Sequence, residues 1–258
     1  MGKHYNESRK NLDIKTMKKT IWLLILLIFI ILAIISFINI TKWYLNNKKN
    51  EEILKEISET IKIDETQVNE KKYVIDFNKL KKRNPDTIAF IKVNGTNIEF
   101  PIVQTTNNDY YLTHNFNKEY NSAGWIFADY KNKLDGTDKN IIIYGHNTKG
   151  NTMFSSLNNI LKEEWYNNEE NYKIVFITEN EYFIYEVFSI YKIEKEDYYI
   201  QTNFKSNETY TEFIETIKNR SIKDFSTEIN SEDKILTLST CANNKDYRIV
   251  LHAKEIKT

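Results

Sequence analysis

From Ile21 to Ile40 the chain is apolar on every side, with only Ser36 and Asn39 interrupting a run of Ile, Leu, Phe, Ala and Trp. At ~1.5 Å per residue, about 20 helical residues cross the ~30 Å hydrocarbon layer of a bilayer. No face of the segment is polar, which argues against a core helix of a water-soluble domain. Trp22, Trp43 and Tyr44 stand at its ends, where amphipathic rings settle at a membrane interface. Lys3, Arg9, Lys10, Lys15, Lys18 and Lys19 precede it; Lys42, Lys48 and Lys49 follow, diluted by Glu51 and Glu52. By the positive-inside rule the N-terminus is cytoplasmic and everything after Thr41 lies outside. A cleaved signal peptide would have a shorter apolar region ending at small residues, and none follows here, so the segment reads as an uncleaved signal anchor.

Beyond the anchor the period changes. Ile53, Leu54, Ile57 and Ile61 recur at helical spacing between charges and predict an amphipathic helix over Glu51 to Ile63. Asp76 caps a short helix, Phe77 to Arg83, that Asn84-Pro85 ends. Thr87 to Val93 alternates as a strand, Asn94-Gly95 is a hairpin turn, and Asn97 to Val103 returns. Asn107 to Asn117 reads as a short helix and loop, and Gly124 to Ala128 as a short strand. Asn140 to Tyr144 is a buried strand ending at Gly145-His146-Asn147, where Gly145 permits a sharp exit. Phe154 to Tyr166 has helical spacing; Lys173 to Thr178 and Tyr182 to Ile193 form a second hairpin; Glu208 to Asn219 is a helix with Tyr210, Phe213, Ile214 and Ile217 on one face. Two last strands flank Cys241. About eight strands, mostly in hairpins with helices between some, predict a mainly antiparallel closed barrel.

Composition narrows the function. Net charge is zero, with 36 basic and 36 acidic side chains, so no nucleic-acid partner is indicated. The chain has 1 cysteine, which excludes an internal disulfide and CxxC-type zinc spacing. That cysteine ends Leu236-Thr237-Leu238-Ser239-Thr240-Cys241, and Arg248 opens the next strand. A thiol at a strand end with a guanidinium close by suits a nucleophile and the group that stabilises its anion or an oxyanion. The proton carrier comes from four histidines. His4 lies before the anchor. His252 shares strand parity with Arg248 but is roughly 13 Å along the strand from it. His114 sits in a polar loop. His146 directly ends a buried strand and is preferred over His114 by position.

At these residues the sequence resembles the sortases, class B most closely. The resemblance rests on Thr237-Leu238-Ser239-Thr240-Cys241, Tyr144-Gly145-His146 and Arg248-Ile249-Val250, with Asn108-Asp109-Tyr110-Tyr111-Leu112 through Gly124-Trp125-Ile126-Phe127-Ala128-Asp129. It covers roughly Asp76 to Lys254. It implies a mainly β fold: an eight-stranded sortase-type barrel with inserted helices, preceded by a transmembrane helix and short amphipathic helices. The segments are then a cytoplasmic N-terminus (1–20), the anchor (21–40), an extracytoplasmic helical linker (41–75) and a sortase catalytic domain (76–258). The activity implied is that of a membrane-anchored cysteine transpeptidase. Cys241 attacks the Thr carbonyl of a C-terminal sorting signal, His146 protonates the leaving amine, and Arg248 stabilises the oxyanion. A peptidoglycan amine resolves the thioacyl enzyme. Asn108, Leu112 and Ser239 match positions lining the substrate groove, and Tyr199 and Ile200 fall where the specificity loop precedes a helix. No metal or other cofactor is implied. Partners are surface proteins bearing sorting signals, often of the Asn-Pro-x-Thr type in class B, the peptidoglycan precursor and the lipid bilayer. The Cys241–Arg248 connection is short for class B. A pilin-polymerising sortase and a non-enzymatic, membrane-tethered wall-binding module are the alternatives; an L,D-transpeptidase would carry Ser-His-Gly-Cys, which is not the pattern at Ser239-Thr240-Cys241.

Overall fold

The computed structural model describes residues 2–64, 72–147, 152–241 and 247–256, with backbone alone at 2–15, 63, 64, 72 and 241. The chain forms two compact units, Met1–Leu45 and Asn46–Thr258. Helix α1 runs Gly2–Ser58. Among the described residues it is the helix long and apolar enough to cross a membrane, with a window of mean hydropathy 3.4 and 0% of it buried. The predicted separate helix beginning at Glu51 does not exist. Residues 41–50 contain neither Gly nor Pro, so nothing interrupts α1 there.

After Ser58 the structure departs from the predicted helix. Ile61–Asp64 (β1) pairs antiparallel with Lys72–Ile75 (β2), from Ile61 opposite Ile75 to Asp64 opposite Lys72. β-Branched residues fit a pleated pair better than a helix end, and the apolar spacing alone does not separate the two. Asp76 caps α2 (Phe77–Arg83) by accepting from the Lys79 backbone N–H at 3.0 Å.

The eight-stranded closed barrel follows: β3 (Thr87–Val93), β4 (Glu99–Val103), β5 (Phe127–Ala128), β6 (Asn140–His146), β7 (Lys173–Thr178), β8 (Tyr182–Glu194), β9 (Ile235–Cys241) and β10 (Tyr247–Ile256). Their order around it is β10-β8-β7-β3-β4-β5-β6-β9. Most neighbours are antiparallel, as expected; β4–β5 and β6–β9 are parallel. A parallel pair needs a long crossover. Between β6 and β9 it carries α3 (Glu163–Tyr166), the β7–β8 hairpin and α4 (Asn207–Asn219).

Alternation divides β9 and β10 between two clusters. Ala89, Ile91 and Val93, Leu236 and Leu238, and Ile249, Leu251 and Ala253 join the main core, with Phe100, Trp125 and Phe176. Ile235 and Val250 instead meet α4, which buries the predicted face of Tyr210, Phe213, Ile214 and Ile217. Ser206 starts α4 with a reciprocal cap involving Thr209. Phe154 to Tyr166, predicted helical, is a 3-10 segment (Ser155–Leu161) followed by α3.

Candidate active site

Strand direction brings the chemistry to one rim. β6 and β9 run parallel and finish at the same edge, and their register ends with His146 opposite Cys241. β10 returns antiparallel along β9, with Val250 opposite Ser239. Arg248 and Cys241 each lie two residues beyond that pair. His146, nearly a hundred residues before the other two, thus joins them on three neighbouring strands. The Cys241 side chain and the short connection at 242–246 lie outside the described residues.

His146 is half-buried, with Nε2 2.7 Å from the Leu112 carbonyl oxygen. A carbonyl only accepts, so Nε2 carries the proton in this contact, and the bond orients the ring. Gly124 packs against the ring beside that contact. Its φ is +60°, and a Cβ there would lie 2.9 Å from His146 Cδ2 and 2.4 Å from the Tyr111 carbonyl oxygen. The expected sharp exit at Gly145 is not what glycine serves. β6 continues through it to His146, and a Cβ would meet the Phe154 ring at 2.6 Å. The glycine admits an aromatic ring against the strand that carries His146.

The other histidines have different surroundings. His114 stacks on Tyr110 with centroids 4.1 Å apart and an interplanar angle of 7°. His252 is fully buried, between Tyr191 Oη at 2.8 Å from Nε2 and Thr237 Oγ1 at 2.8 Å from Nδ1. Burial, reinforced by the Arg220 charge, pushes its pKa down to about 3, so the ring stays neutral at working pH.

A cleft of about 400 Å³ is lined by Asn108, Leu112, Tyr199, Ile200, Ser239 and Arg248, together with Asp109, Phe127, Tyr144 and the run Lys195, Glu196, Asp197. All five residues expected to line a substrate groove border this one space with Arg248. Tyr199 Oη and Ser239 Oγ are 2.9 Å apart and buried, tying the segment before α4 to β9. Arg248 Nη1 donates to the Tyr247 carbonyl oxygen at 3.0 Å.

Sequence reading missed Tyr144, which lines this wall, and Asp129, which holds two of its residues from behind. Asp129 is almost fully buried, and its Oδ2 accepts from Asn108 Nδ2 at 3.0 Å and from Tyr144 Oη at 2.8 Å. The Tyr130 backbone N–H donates to Asn108 Oδ1 at 3.0 Å, so both ends of that amide are held. Burial and then the Asp129 charge raise the Tyr144 phenol, which remains a donor. Tyr144 has the strand parity of His146, a signal that placed it on the same face. Asp129 lies in a tight loop and carried no such signal. Among the described residues no group of three or more His, Cys, Asp or Glu is spaced to hold a metal ion.

Residues 91–256 match the family model of the sortase domain. Sortase B of Listeria monocytogenes is 34% identical over 212 residues, covering 81% of this chain and 85% of that protein. Sortase B of Staphylococcus aureus is 37% identical over 186 residues, covering 70% and 75%. The crystal structure of sortase B from Bacillus anthracis superposes with a TM-score of 0.73 at 34% identity, covering 83% of this chain and 100% of that one.

Proposed function

This chain belongs to the sortase family, class B, and we propose that Cys241, His146 and Arg248 carry its reaction. Sortases are cysteine transpeptidases that act on sorting-signal proteins and cell-wall components. In this chain Cys241 Sγ attacks the carbonyl carbon of a Thr in the sorting signal. The C–S bond forms, and the Arg248 guanidinium donates hydrogen bonds to the negative oxygen of the tetrahedral intermediate. His146 delivers a proton to the leaving nitrogen as the C–N bond breaks. A peptidoglycan amine then attacks the thioester carbonyl and His146 takes its proton. The new C–N bond forms as the thiolate leaves. Asn108, Leu112, Ser239, Tyr199 and Ile200 hold the peptide in the cleft.

The single observation that supports this reading is the parallel β6–β9 register with His146 opposite Cys241. The rigid ladder sets the separation of base and nucleophile positions, as proximity catalysis requires.

In the cell, residues 1–20 are cytoplasmic, 21–40 span the bilayer and everything after Thr41 is extracytoplasmic. The basic residues before Ile21 support that orientation. The test uses the full chain in detergent with peptides carrying Asn-Pro-x-Thr or Leu-Pro-x-Thr-Gly signals, read by mass spectrometry. Cleavage after Thr, an acyl adduct on Cys241 released by hydroxylamine, and loss of both in Cys241→Ala are expected. Cleavage at other bonds, or turnover surviving in Cys241→Ala, would sink the reading.

A further inference from the structure

Within the second unit, the buried face of α1 begins with amides rather than hydrocarbon. Asn47, Asn50, Ile53 and Ile57 recur at helical spacing, and Asn50 is 0% and Asn47 5% exposed. Buried amides on a docking face cost free energy unless they are hydrogen-bonded. Their partners lie on the two chain segments that flank His146.

Asn50 holds the first. Its Nδ2 donates to the Gly124 carbonyl oxygen at 3.2 Å, and its Oδ1 accepts from Asn121 Nδ2 at 2.9 Å. Asn121 also donates to the Asn46 carbonyl oxygen at 2.9 Å, and its own carbonyl accepts from the Gly124 N–H at 2.9 Å. Gly124 is the residue packed against the His146 ring, beside the Leu112 carbonyl that His146 Nε2 engages. Asn47 holds the second segment. Its Oδ1 accepts from Thr152 Oγ1 at 2.9 Å, a buried contact. The next residue, Met153, bridges Asn147, and the Phe154 N–H donates to the His146 carbonyl oxygen at 3.0 Å.

We propose that Asn47 and Asn50 are positioning residues for His146, so that the first buried turns of α1 in the second unit belong to the catalytic scaffold. Asn50 sets Gly124 against the imidazole, and Asn47 sets the return of the chain behind it. This rests on the reading of His146 as the proton carrier. An isosteric apolar side chain would preserve packing yet release Gly124, letting the ring drift from the nucleophile.

The experiment uses the full chain in lipid nanodiscs. Turnover of a sorting-signal peptide is measured with the pH dependence of Cys241 alkylation by iodoacetamide, which reads the charge coupling between thiol and imidazole. Asn50→Leu is expected to lower kcat by about 10- to 100-fold with KM within about twofold, and to displace the alkylation midpoint. Thr152→Val, which removes the hydroxyl that donates to Asn47, acts in the same direction with a smaller effect. Lys49→Ala, which breaks the exposed pair with Glu119 on the same stretch of helix, leaves both readouts unchanged. If Asn50→Leu does not fold, Thr152→Val decides. Wild-type kcat and alkylation profile in the folded variants, or a lowered melting temperature with an undisplaced profile, overturns the inference. His146→Ala separates the two levels. Turnover surviving in it removes the reading of the site, and the inference with it. Turnover lost in it while Asn50→Leu and Thr152→Val match wild type removes the inference alone.

Discussion

His146 and His252 occupy the two strands that flank β9, and their fates are opposite. His146 stands at the rim, half-buried, across the ladder from Cys241. His252 stands across the same strand from Thr237, in mid-ladder, sealed among Tyr191, Phe188 and Phe213. Both rings are hydrogen-bonded, so bonding does not distinguish them. Solvent access does: desolvation holds His252 neutral, which makes it a structural ring that bridges two hydroxyls. Thr237 carries the bridge onward by donating to Asn140 Oδ1 at 2.6 Å, at the start of β6. One histidine organises the middle of the sheet whose rim the other occupies.

The sharpest way to break this contrast is to remove each ring. His146→Ala should lower kcat/KM by about 10²- to 10⁴-fold at unchanged melting temperature, the range for a lost general acid–base; steady-state assays with calorimetry check both. Arg248→Leu should cost about 10²- to 10³-fold, mainly in kcat, through lost oxyanion donors. His252→Leu should do the reverse. Turnover stays within a few-fold, while unfolding free energy falls by about 2–4 kcal/mol because Tyr191 and Thr237 lose a buried partner.

The His252 effect has a pH signature. Its folded pKa of about 3 is below the ordinary value of 6.5, so between these values the unfolded chain binds a proton that the folded chain refuses. Stability from this residue is therefore complete above pH 6.5 and is lost progressively as pH drops toward 3. The gap between wild type and His252→Leu in urea midpoints should shrink as pH is lowered through that window. A constant gap would mean the ring accepts a proton where it sits. The smallest effect is reserved for the cleft wall: Tyr199→Phe deletes the bond to Ser239, worth about 1 kcal/mol, and should raise KM a few-fold with kcat unchanged.

Much of this was legible in the chain. The apolar run, the capped helix after Asp76, the β3–β4 hairpin, the α4 face and the strand ending in Cys241 all follow from local periodicity and capping, which residues near in sequence decide. The places of Cys241, His146 and Arg248 at the ends or head of strands were legible from the apolar runs they bound. β1 and β2 were not, because Ile61 and Ile63 satisfy helical spacing as well as strand alternation. Asp129 was not, because its partners Asn108 and Tyr144 are brought to it only by the folded chain. Gly145 was misread for a related reason: the ring that needs its missing Cβ belongs to Phe154, beyond the end of the strand.

The amino-acid order by itself determined most of the helices and strands and the membrane-crossing length of α1, and it supplied the candidate thiol, imidazole and guanidinium. Those properties depend on spacing, hydropathy and functional groups within a few residues of one another. Only the tertiary structure decided that β6 and β9 lie parallel, that His252 is sealed and His146 is not, and that two asparagines of α1 grip the segments around His146. Each of these is a contact between residues distant in sequence. Such contacts exist only once the barrel closes, because closure selects a single register among many that the same hydrophobic pattern would allow.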